Sequence, residues 1–387
     1  KQVGASAAGM LGPVGLTFGG NWLKGDGYSA FNERRGGTEK DGFESKSANA
    51  RAEVELTPGL SVDAGGYWTK ANYDYDGFGA DALNGKVERF EGQASFAPVE
   101  LISVLVGAET EKQTFDDNYG SQDSTSIDSV YGNLTLHPLA GLTLNGGLRY
   151  DDNSDFGDKT TFAANGAWVI GSGVDAPVLR ASYGEGFKAP SLYQLYTNAG
   201  FRALESETSK GWDVGIEQPF AEGTGRFTLT YFDRKTKNLI DYDFANWNYY
   251  NVGRARAQGV ELGMQVANWN GFDVNLSYTY LDATDETTGA RLARRPKSNF
   301  YASLDKAWDL GLRLGADLRV GGGRYDDMAN SQYVDGHLVV GLRSAFAVTE
   351  NIEVYGRVEN LFDEHYEVVR TYGTPGRSAY AGVRVKM

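Results

Sequence analysis

Strict alternation between apolar and charged residues in several long segments is the feature that most limits the folds open to this chain. In residues 352–359 the even-numbered positions are apolar or glycine, and the odd-numbered positions are charged or tyrosine. Residues 310–320 also have apolar even-numbered positions, residues 379–386 have apolar odd-numbered positions, and in both the other face has charged residues with tyrosine or glycine. Because successive side chains of a β-strand point to opposite faces, each segment has one apolar and one charged face. Such a strand suits a wall between lipid and water, although a soluble sandwich would show the same alternation.

Strand length favours the membrane wall over the sandwich. The alternating runs cover about 9 to 13 residues, against about 5 to 6 in soluble proteins, which matches a tilted crossing of a bilayer. Counting them gives roughly 19 strands. No stretch approaches the roughly 20 consecutive apolar residues of a membrane-spanning helix. We therefore predict an all-β transmembrane antiparallel β-barrel, as one domain over residues 1–387, with no amphipathic helix.

The connections between these strands alternate in length. Every second connection of an antiparallel sheet lies at the same end, so the alternation predicts one rim of tight turns and an extracellular rim of long loops. Tight turns are predicted at residues 57–60, 97–100, 137–142, 171–173, 221–225, 268–271, 308 and 348–350. Long loops are predicted near Lys24, Tyr73, Phe115, Asp151, Lys188, Asp241, Thr284, Tyr325 and Asp363.

Composition excludes several classes of function. The net charge of -14 argues against a nucleic-acid partner, because phosphates require a basic surface. The absence of cysteine rules out disulfides and thiolate metal sites. The three histidines, at 137, 337 and 365, have no serine or carboxylate partner that the sequence can place near them, and no phosphate-cradling glycine motif is present. We therefore predict that the chain is not an enzyme.

Several blocks of the sequence resemble a known family. They are LRASYGEGFKAPSLYQLY (179–196) followed by ALESETSK (203–210), NLIDYDFANWNYYNVGRARAQGVE (238–261), RRPK (294–297), ENLFD (359–363) and YGTPGR (372–377). In combination they resemble the TonB-dependent outer-membrane receptors, and within them the cobalamin receptor group. The resemblance covers nearly the whole chain.

The resemblance implies a barrel of about 22 strands, filled by an N-terminal plug domain, in the bacterial outer membrane. Such a receptor imports a scarce metal complex with energy delivered by the TonB complex through the plug. Cobalamin is the ligand expected from the group resembled. The alternatives are a siderophore receptor of the same family, a passive porin-like channel, and, from a different class, a soluble adhesin-like β protein. The implied partners are outer-membrane lipid, the TonB complex and the ligand, with the receptor itself a monomer.

The sequence departs from the family pattern at three places. The plug and the first strand are expected to be absent from residues 1–387. Between Tyr67 and Gln93 a single loop is expected where the cobalamin group has two further strands, so that roughly three strands are missing and closure of the usual barrel is in doubt. Met387 stands where outer-membrane proteins usually have an aromatic residue.

Two acidic loops are candidate calcium sites, since clustered carboxylates with intervening glycine provide the oxygen ligands that calcium prefers. The cobalamin receptors resembled here order these two loops with calcium, although Ser29 replaces one acidic ligand. The alternative is a pair of solvated acidic loops, and no cofactor is otherwise required. The candidate ligands are Glu39, Asp41, Asp74, Asp76 and Asp81.

Aromatic residues on the predicted loops and strand ends are the candidate ligand-binding surface, because they can pack against a corrin or a siderophore. An aromatic girdle at the lipid interface is the competing interpretation. The candidates are Tyr193, Tyr196, Phe201, Trp247, Tyr249, Tyr250 and Tyr372.

Charged residues on the strands are predicted to point into the lumen as structural charges. They are Arg254, Arg256, Glu261, Arg313, Arg319, Arg357 and Arg384. Residues 187–190 (FKAP) are predicted to end a strand at the loop rim, because Pro190 cannot donate to the sheet and keeps its predecessor extended.

Overall fold

The structure, a computed structural model, describes residues 1–27, 29, 36, 40–74, 82–117, 122–197, 203–243 and 246–386. Within these residues, 19 strands form one sheet and two more form a small separate ladder, with one short helix. The strand count agrees with the roughly 19 predicted from the alternation. None of the described helices is long and apolar enough to cross a membrane.

The first half of the chain contains ten strands and one helix within its described residues. They are β1 (Gln2–Leu11), β2 (Val14–Gly25), β3 (Phe43–Thr57), β4 (Leu60–Asp74), β5 (Ala82–Val99), β6 (Ile102–Asp117), β7 (Gln122–Leu139), β8 (Leu142–Asn153), β9 (Gly157–Val169), β10 (Val178–Lys188) and the helix α1 (Leu192–Thr197).

The described portion of the second half of the chain contains eleven strands. Its elements are β11 (Glu207–Phe220), β12 (Gly225–Asp243), β13 (Asn248–Trp269), β14 (Phe272–Asp285), β15 (Ser298–Ala307), β16 (Leu312–Gly321), β17 (Arg324–Tyr325), β18 (Tyr333–Val334), β19 (His337–Ala347), β20 (Ile352–Glu359) and β21 (Ser378–Val385).

The chain divides into two compact units. Unit 1 comprises Lys1–Gly166, Tyr183–Lys210 and Asn238–Val252, and unit 2 comprises Ala167–Ser182, Gly211–Lys237 and Gly253–Met387. In unit 1, β1 to β8 pair with their sequence neighbours in antiparallel register. In unit 2, β13 to β16 and β19 to β21 do the same. The ladder β17–β18 lies between β16 and β19 in the sequence.

Tight turns join the strands at one end, as predicted, except between β9 and β10, where the turn predicted at residues 171–173 is a connection of eight residues, 170–177. The turn Pro58–Gly59 is an example: Gly59 has a φ of 79°, which favours glycine. A Cβ atom there would also approach the Ala97 carbonyl oxygen to 2.5 Å. At the other end, the long loops predicted after Lys188 and Thr284 are present.

Three predicted long loops are wrong. The connections after Phe115, Asp151 and Asp241 are short, at residues 118–121, 154–156 and 244–247. The strands continue where the apolar alternation ends, because hydrophilic residues pair there, as in Gln113 with Thr125. Such strands extend beyond the lipid, so polarity is a poor signal for their ends.

The prediction of a single loop between Tyr67 and Gln93 is also wrong. Most of this segment belongs to β4 and β5, whose register pairs Tyr67 with Arg89 and Lys70 with Lys86. Only residues 75–81 connect the two strands, and they lie outside the described residues. Within the 19-stranded sheet, strand lengths range from 8 residues in β20 and β21 to 22 residues in β13, a wider range than predicted.

The two faces of the sheet differ as the alternation predicts. On one face of unit 1, Phe90, Val106, Val130 and Leu148 are 53% to 62% exposed. In unit 2 the corresponding face exposes Leu314, Leu342, Val354 and Val383. Among the described residues no large side chain is more than 98% buried, so the apolar residues do not close on a core of the soluble type. We call this the apolar face and the opposite one the charged face.

The predicted lumen charges fall mostly, but not entirely, on one face. Arg319 pairs with Tyr301, Arg357 with Arg343 and Arg384 with Glu353, all on the charged face. Arg254 and Arg256, however, lie on the face opposite to Glu261. The pairing runs without a bulge from Ala255 to Val266, so residues an odd number apart must point to opposite faces. The prediction of a shared face for these three was wrong.

Glycines on the charged face leave room for large neighbours. A Cβ atom on Gly107 would approach the Tyr131 hydroxyl oxygen to 2.5 Å, and one on Gly382 would approach that of Tyr355 equally closely. Each glycine is directly paired with the tyrosine across the strands. The ring therefore lies over the bare backbone of its partner strand.

Candidate functional site

Five aromatic side chains meet at the long-loop end of unit 1. Phe115 lies 5.3 Å from Tyr196 and 6.3 Å from Tyr193, measured between ring centroids. Tyr193 lies 6.5 Å from Tyr249, which lies 4.9 Å from Tyr242. Three of these contacts are edge-on, an arrangement that aromatic quadrupoles favour. We call this group the aromatic cluster.

The helix α1 presents two members of the cluster. Ser191 begins it: its Oγ accepts a hydrogen bond from Gln194 N (3.2 Å), and Gln194 Oε1 accepts one from Ser191 N (2.9 Å). This reciprocal pair is a capping box. Tyr193 and Tyr196 are three residues apart and therefore share a side of the helix. Leu192 is buried, 7% exposed, and lies four residues before Tyr196, so it packs beneath the same side of the helix.

An ion pair secures the loop that carries α1. Lys188 Nζ lies 2.9 Å from Glu207 Oε1, which also accepts a hydrogen bond from Ile240 N at 3.2 Å. The strand ends at Lys188, as predicted from Pro190. Residues 187–190 therefore mark the rim, and α1 places the tyrosines just beyond it.

The structure brings together only part of the predicted ligand surface. Tyr193, Tyr196 and Tyr249 meet, whereas Trp247 is 60% exposed and Tyr250 is half-buried. Tyr372 belongs to unit 2, where its backbone N–H donates to the Val369 carbonyl oxygen at 3.0 Å. Phe201 lies outside the described residues.

Sequence reasoning missed Phe115 and Tyr242, because both lie on strands rather than on loops. Phe115 is an even number of residues from Glu109 and Glu111 on the same strand, so its side chain lies on the charged face with theirs. An aromatic residue on the charged face near the end of a strand was the sequence signal that could have identified Phe115.

Below the cluster, carboxylates and arginines alternate across the charged face of unit 1. Arg89 Nε donates to Glu111 at 2.8 Å, and Arg149 bridges Glu109 (2.9 Å) and Asp151 (2.7 Å). Arg51 pairs in the same way with Glu91 at 3.1 Å and with Asp63. The chain thereby satisfies charged groups that would otherwise be costly in a wall facing lipid on its other side.

The acidic loops are only partly described. Asp26, Asn72 and Asp74 line a depression of about 450 Å³ together with Lys24 and Lys40. Glu39, Asp76 and Asp81 lie outside the described residues, and Ser29 is buried. Among the residues that the structure does describe, no group of three or more acidic or histidine side chains is arranged to hold a metal ion.

Unit 2 has an ordered set of loop contacts of its own. Arg294 Nε donates to Asp326 at 2.8 Å, and the Arg291 guanidinium lies over the Tyr325 ring at 5.7 Å. Arg324 is 3% exposed and donates to the Glu367 carbonyl oxygen at 2.9 Å. Burial lowers the pKa of Arg324, and the Asp326 carboxylate partly offsets that effect. The contacts of Arg291 and Arg294 join residues 291–295 to the β17 strand and its flanking Asp326, and the contact of Arg324 joins the same strand to Glu367.

Solved structures of receptors resemble this chain over almost its whole length. A ferric enterobactin receptor mutant (PfeA) from Pseudomonas aeruginosa matches with a TM-score of 0.71 and 18% identity, over 99% of this chain and 77% of that one. The ferric-catecholate import receptor Fiu from E. coli matches at 0.75 and 14%, over 99% and 74%. The copper transporter OprC matches at 0.74 and 14%, over 99% and 79%. At these identities the likeness concerns the fold.

Family membership rests on a separate comparison. The family model described as TonB dependent receptor-like, beta-barrel, matches residues 14–361, most of the chain. The exposed apolar face, the charged face and the tight-turn end are the features that a barrel wall between lipid and water requires. The chain therefore belongs to the TonB-dependent receptor β-barrel family, a family of transporters, and is a protein of the Gram-negative outer membrane.

Proposed function

We propose that this chain forms the barrel wall of a receptor that takes up a ferric siderophore, and that the aromatic cluster contacts the chelate. The observation that carries the proposal is the meeting of Phe115, Tyr193, Tyr196, Tyr242 and Tyr249 at the loop end. Siderophore receptors among the similar structures support it. Uptake would be driven by the TonB complex acting through a plug domain.

Ring chemistry supports a chelate with flat aromatic groups. Aromatic pairs contribute about 0.5–1.5 kcal/mol each beyond the area they bury. Tyrosine hydroxyls add hydrogen bonds at the edge of the rings, which suits a ligand that has both π-faces and oxygen atoms. A tyrosine-rich surface of this kind binds with little loss of side-chain freedom, because each ring has only two rotatable bonds.

Cobalamin is the second candidate, supported by the motif blocks from residue 179 to residue 377. A copper transporter also has this fold, so the fold by itself does not select the ligand. The barrel could further act as a passive channel if nothing occluded it. The receptor is proposed to act as a monomer.

Equilibrium binding distinguishes these candidates. Quenching of intrinsic fluorescence would be measured on the detergent-purified chain with ferric enterobactin, cyanocobalamin and a copper salt. We expect saturable quenching by the ferric catecholate. The double variant Tyr193→Ala with Tyr249→Ala should bind it with an affinity about tenfold lower or weaker still. The matched control is Tyr73→Ala, an exposed tyrosine outside the cluster. Saturable binding of cyanocobalamin alone would transfer the assignment to cobalamin.

Calcium binding by the two acidic loops stays a prediction. Lys24 and Lys40 line the same depression as Asp26 and Asp74, which weakens its attraction for cations. Repeating the ligand titration with and without a calcium chelator tests it: an unchanged affinity would remove calcium from the mechanism.

A further inference from the structure

The long connection between β20 and β21 packs over two basic side chains of unit 2. We call its residues 363–377 the cover. The Tyr366 ring of the cover stacks on the His337 imidazole, with ring centroids 4.1 Å apart and an angle of 17° between the planes. The Glu367 carbonyl oxygen accepts a hydrogen bond from Arg324 Nη2 at 2.9 Å. The middle of the cover therefore depends on His337 and Arg324 for its position.

Arg324 is a buried cation with little compensation. Its side chain is 3% exposed, and among the described residues Nε has no hydrogen-bond partner and no carboxylate pairs with the guanidinium directly. The Asp326 carboxylate, which acts on it from a distance, pairs with Arg294 at 2.8 Å instead. A buried charge of this kind costs free energy, and contact with water would relieve it. Closing the cover over Arg324 thus offsets part of what the ring stack contributes.

His337 occupies space that a glycine leaves free. It is the first residue of β19 and pairs with Gly321 of β16, where a Cβ atom would overlap the imidazole. The ring lies among loop residues, beyond the part of the strand that crosses the lipid, between the bare backbone of β16 and the Tyr366 ring. The nearest charged side chains on this face of the flanking strands pair with each other: Arg319 with Asp317 at 3.2 Å on β16, and Arg357 with Glu359 at 3.3 Å on β20.

Protonation of His337 is unfavourable while the cover is closed. Burial of the ring lowers the pKa of His337, the Arg324 guanidinium lowers it further, and the Glu364 carboxylate partly opposes both. Both nitrogens of an imidazolium are donors, yet Nδ1 is buried and has no hydrogen-bond partner within the described part of the chain. When the cover opens, the ring meets water and its pKa returns to about 6.5.

This difference between the two forms sets the direction of the pH dependence. Because the closed form has the lower pKa, the neutral ring stabilises it fully at pH values above about 6.5. That stabilisation is lost progressively as the pH falls from about 6.5 to the lower pKa of the closed form. Within this interval, each pH unit multiplies the ratio of open to closed cover by about ten.

The two ends of the cover are held by bonds that involve neither basic side chain. Asn360 is 4% exposed; its Oδ1 accepts a hydrogen bond from Glu364 N at 2.8 Å, and its Nδ2 donates to the Glu364 and Pro375 carbonyl oxygens at 2.9 and 3.3 Å. Asp363 Oδ1 accepts a bond from Arg377 N at 2.8 Å. Both ends therefore stay in place when the middle, residues 365–374, moves.

We propose that the middle of the cover is a pH-sensitive element, closed at neutral pH and released in a mildly acidic medium when His337 becomes protonated. Protonation places a second positive charge beside Arg324, and the cover opens as water reaches the two cations. Thr371, within the middle, has a φ of 75°, which is strained for a β-branched residue and favours release. The element acts independently of the ligand that the receptor takes up.

The test measures the distance between the cover and a fixed neighbour. The chain contains no cysteine, so spin labels can be attached to introduced cysteines without background. Val368→Cys labels the cover and Met328→Cys labels the connection between β17 and β18; both positions are exposed. That connection is fixed, because Asn330 bonds to the Arg291 carbonyl oxygen at 2.9 Å and accepts from Arg291 N at 2.8 Å.

Double electron–electron resonance on the full chain in detergent gives the distance distribution at pH 7.5 and pH 5.5. The ratio of the longer to the shorter distance should rise about tenfold between them, because the open-form value of about 6.5 lies midway. Carboxyl groups ordinarily titrate below this interval. An unchanged distribution in the parent would overturn the proposal.

Three variants assign the effect to His337. His337→Phe keeps a flat ring for Tyr366 but cannot be protonated, so its ratio should be the same at both pH values. Arg324→Gln removes the charge that opposes protonation, so the change should shrink. The matched control is His365→Gln, an exposed histidine of the same cover, which should keep the tenfold change.

A tenfold rise in His337→Phe, or its loss in His365→Gln, would contradict the assignment. Heat-modifiable gel mobility shows whether each variant is folded. If His337→Phe does not fold, Arg324→Gln decides: an undiminished tenfold rise in that variant would overturn the proposal.

Discussion

At the scale of single residues, the charged face depends on glycines that leave space for ion pairs between other strands. Arg343 of β19 reaches across β16 to Asp305 Oδ1 of β15 at 2.7 Å, and it also contacts Asp317 at 3.1 Å. Gly315 lies beneath this crossing. A Cβ atom there would overlap the Asp305 carboxylate and approach Arg343 Nε to 2.6 Å. The sequence does not reveal this role, because the three charges are far apart along the chain.

We expect Gly315→Ala to destabilise the protein by about 1–3 kcal/mol, since the new methyl group separates a paired charge from its partner. Gly146→Ala is the matched control, because a Cβ atom at Gly146 meets nothing within 4 Å. Urea unfolding in detergent, followed by heat-modifiable gel mobility, measures both variants. Equal stability of the two would show that Arg343 moves aside freely.

Asp327 gives a prediction about pH. Burial alone would raise the pKa of Asp327, but hydrogen bonds from Gln332 N (2.7 Å) and from Ser331 Oγ (2.8 Å) and N (2.9 Å) outweigh burial and hold that pKa below its usual value. Because this pKa is lower in the folded loop than in the unfolded chain, the ionised carboxylate stabilises the folded loop. That stabilisation is fully present at pH values above the pKa in the unfolded chain, about 3.9. That stabilisation is lost as the pH falls through the folded pKa.

The expected result is that protection of the Ser331 and Gln332 amides from hydrogen exchange, after correction for intrinsic rates, is constant at neutral pH and falls below about pH 4. Asp327→Asn should remove the pH dependence and lower the protection throughout. Protection that falls equally in the variant would assign the effect to another carboxyl group.

At the scale of elements, the strands were the most predictable part and their extracellular ends the least. Residues 310–320 were recognisable because apolar and charged residues alternate there, and all but the first two lie in β16. Residues 122–129, by contrast, are almost wholly polar, yet they pair with β6. Beyond the lipid no apolar face is needed, so alternation disappears while backbone pairing continues. The six-residue α1 was missed for a related reason: it is too short for a helical period.

The capping box of α1 offers a test of how the aromatic cluster is positioned. Ser191→Ala removes the Oγ that accepts the Gln194 N–H, which costs about 0.5–2 kcal/mol in helix stability. Affinity for the ligand that proves to bind should fall about fivefold, because the helix must reform on binding. Ser191→Thr, which keeps the hydroxyl, should restore it. A loss in Ser191→Ala that Ser191→Thr does not restore would point to a cause other than capping.

At the scale of the whole molecule, the alternation predicted a membrane wall and the structure has the surface for it. Apolar residues such as Met10 (71% exposed) and Phe90 (62% exposed) lie uncovered in the isolated chain. The aromatic cluster was only half foreseen, since Phe115 and Tyr193 meet through folding and not through sequence proximity. The choice of cobalamin rested on motifs that a whole family shares. Such motifs indicate the barrel fold more reliably than they indicate the ligand.

The exposed apolar face predicts strict dependence on detergent. Purified chain transferred to buffer without detergent should aggregate, and light scattering coupled to size exclusion would detect it. In detergent above its critical micelle concentration, one monomeric species is expected. A monodisperse chain without detergent would instead favour a soluble adhesin-like protein.

The tyrosine rings that lie over bare glycines have a consequence for how this protein can change over evolutionary time. Tyr131 occupies the space that a side chain at residue 107 would need, and Tyr355 does the same for residue 382. Neither glycine can acquire a side chain until its tyrosine has been replaced by something smaller. In a collection of diverging sequences, the two positions of each pair should therefore vary together, with the loss of the ring coming first.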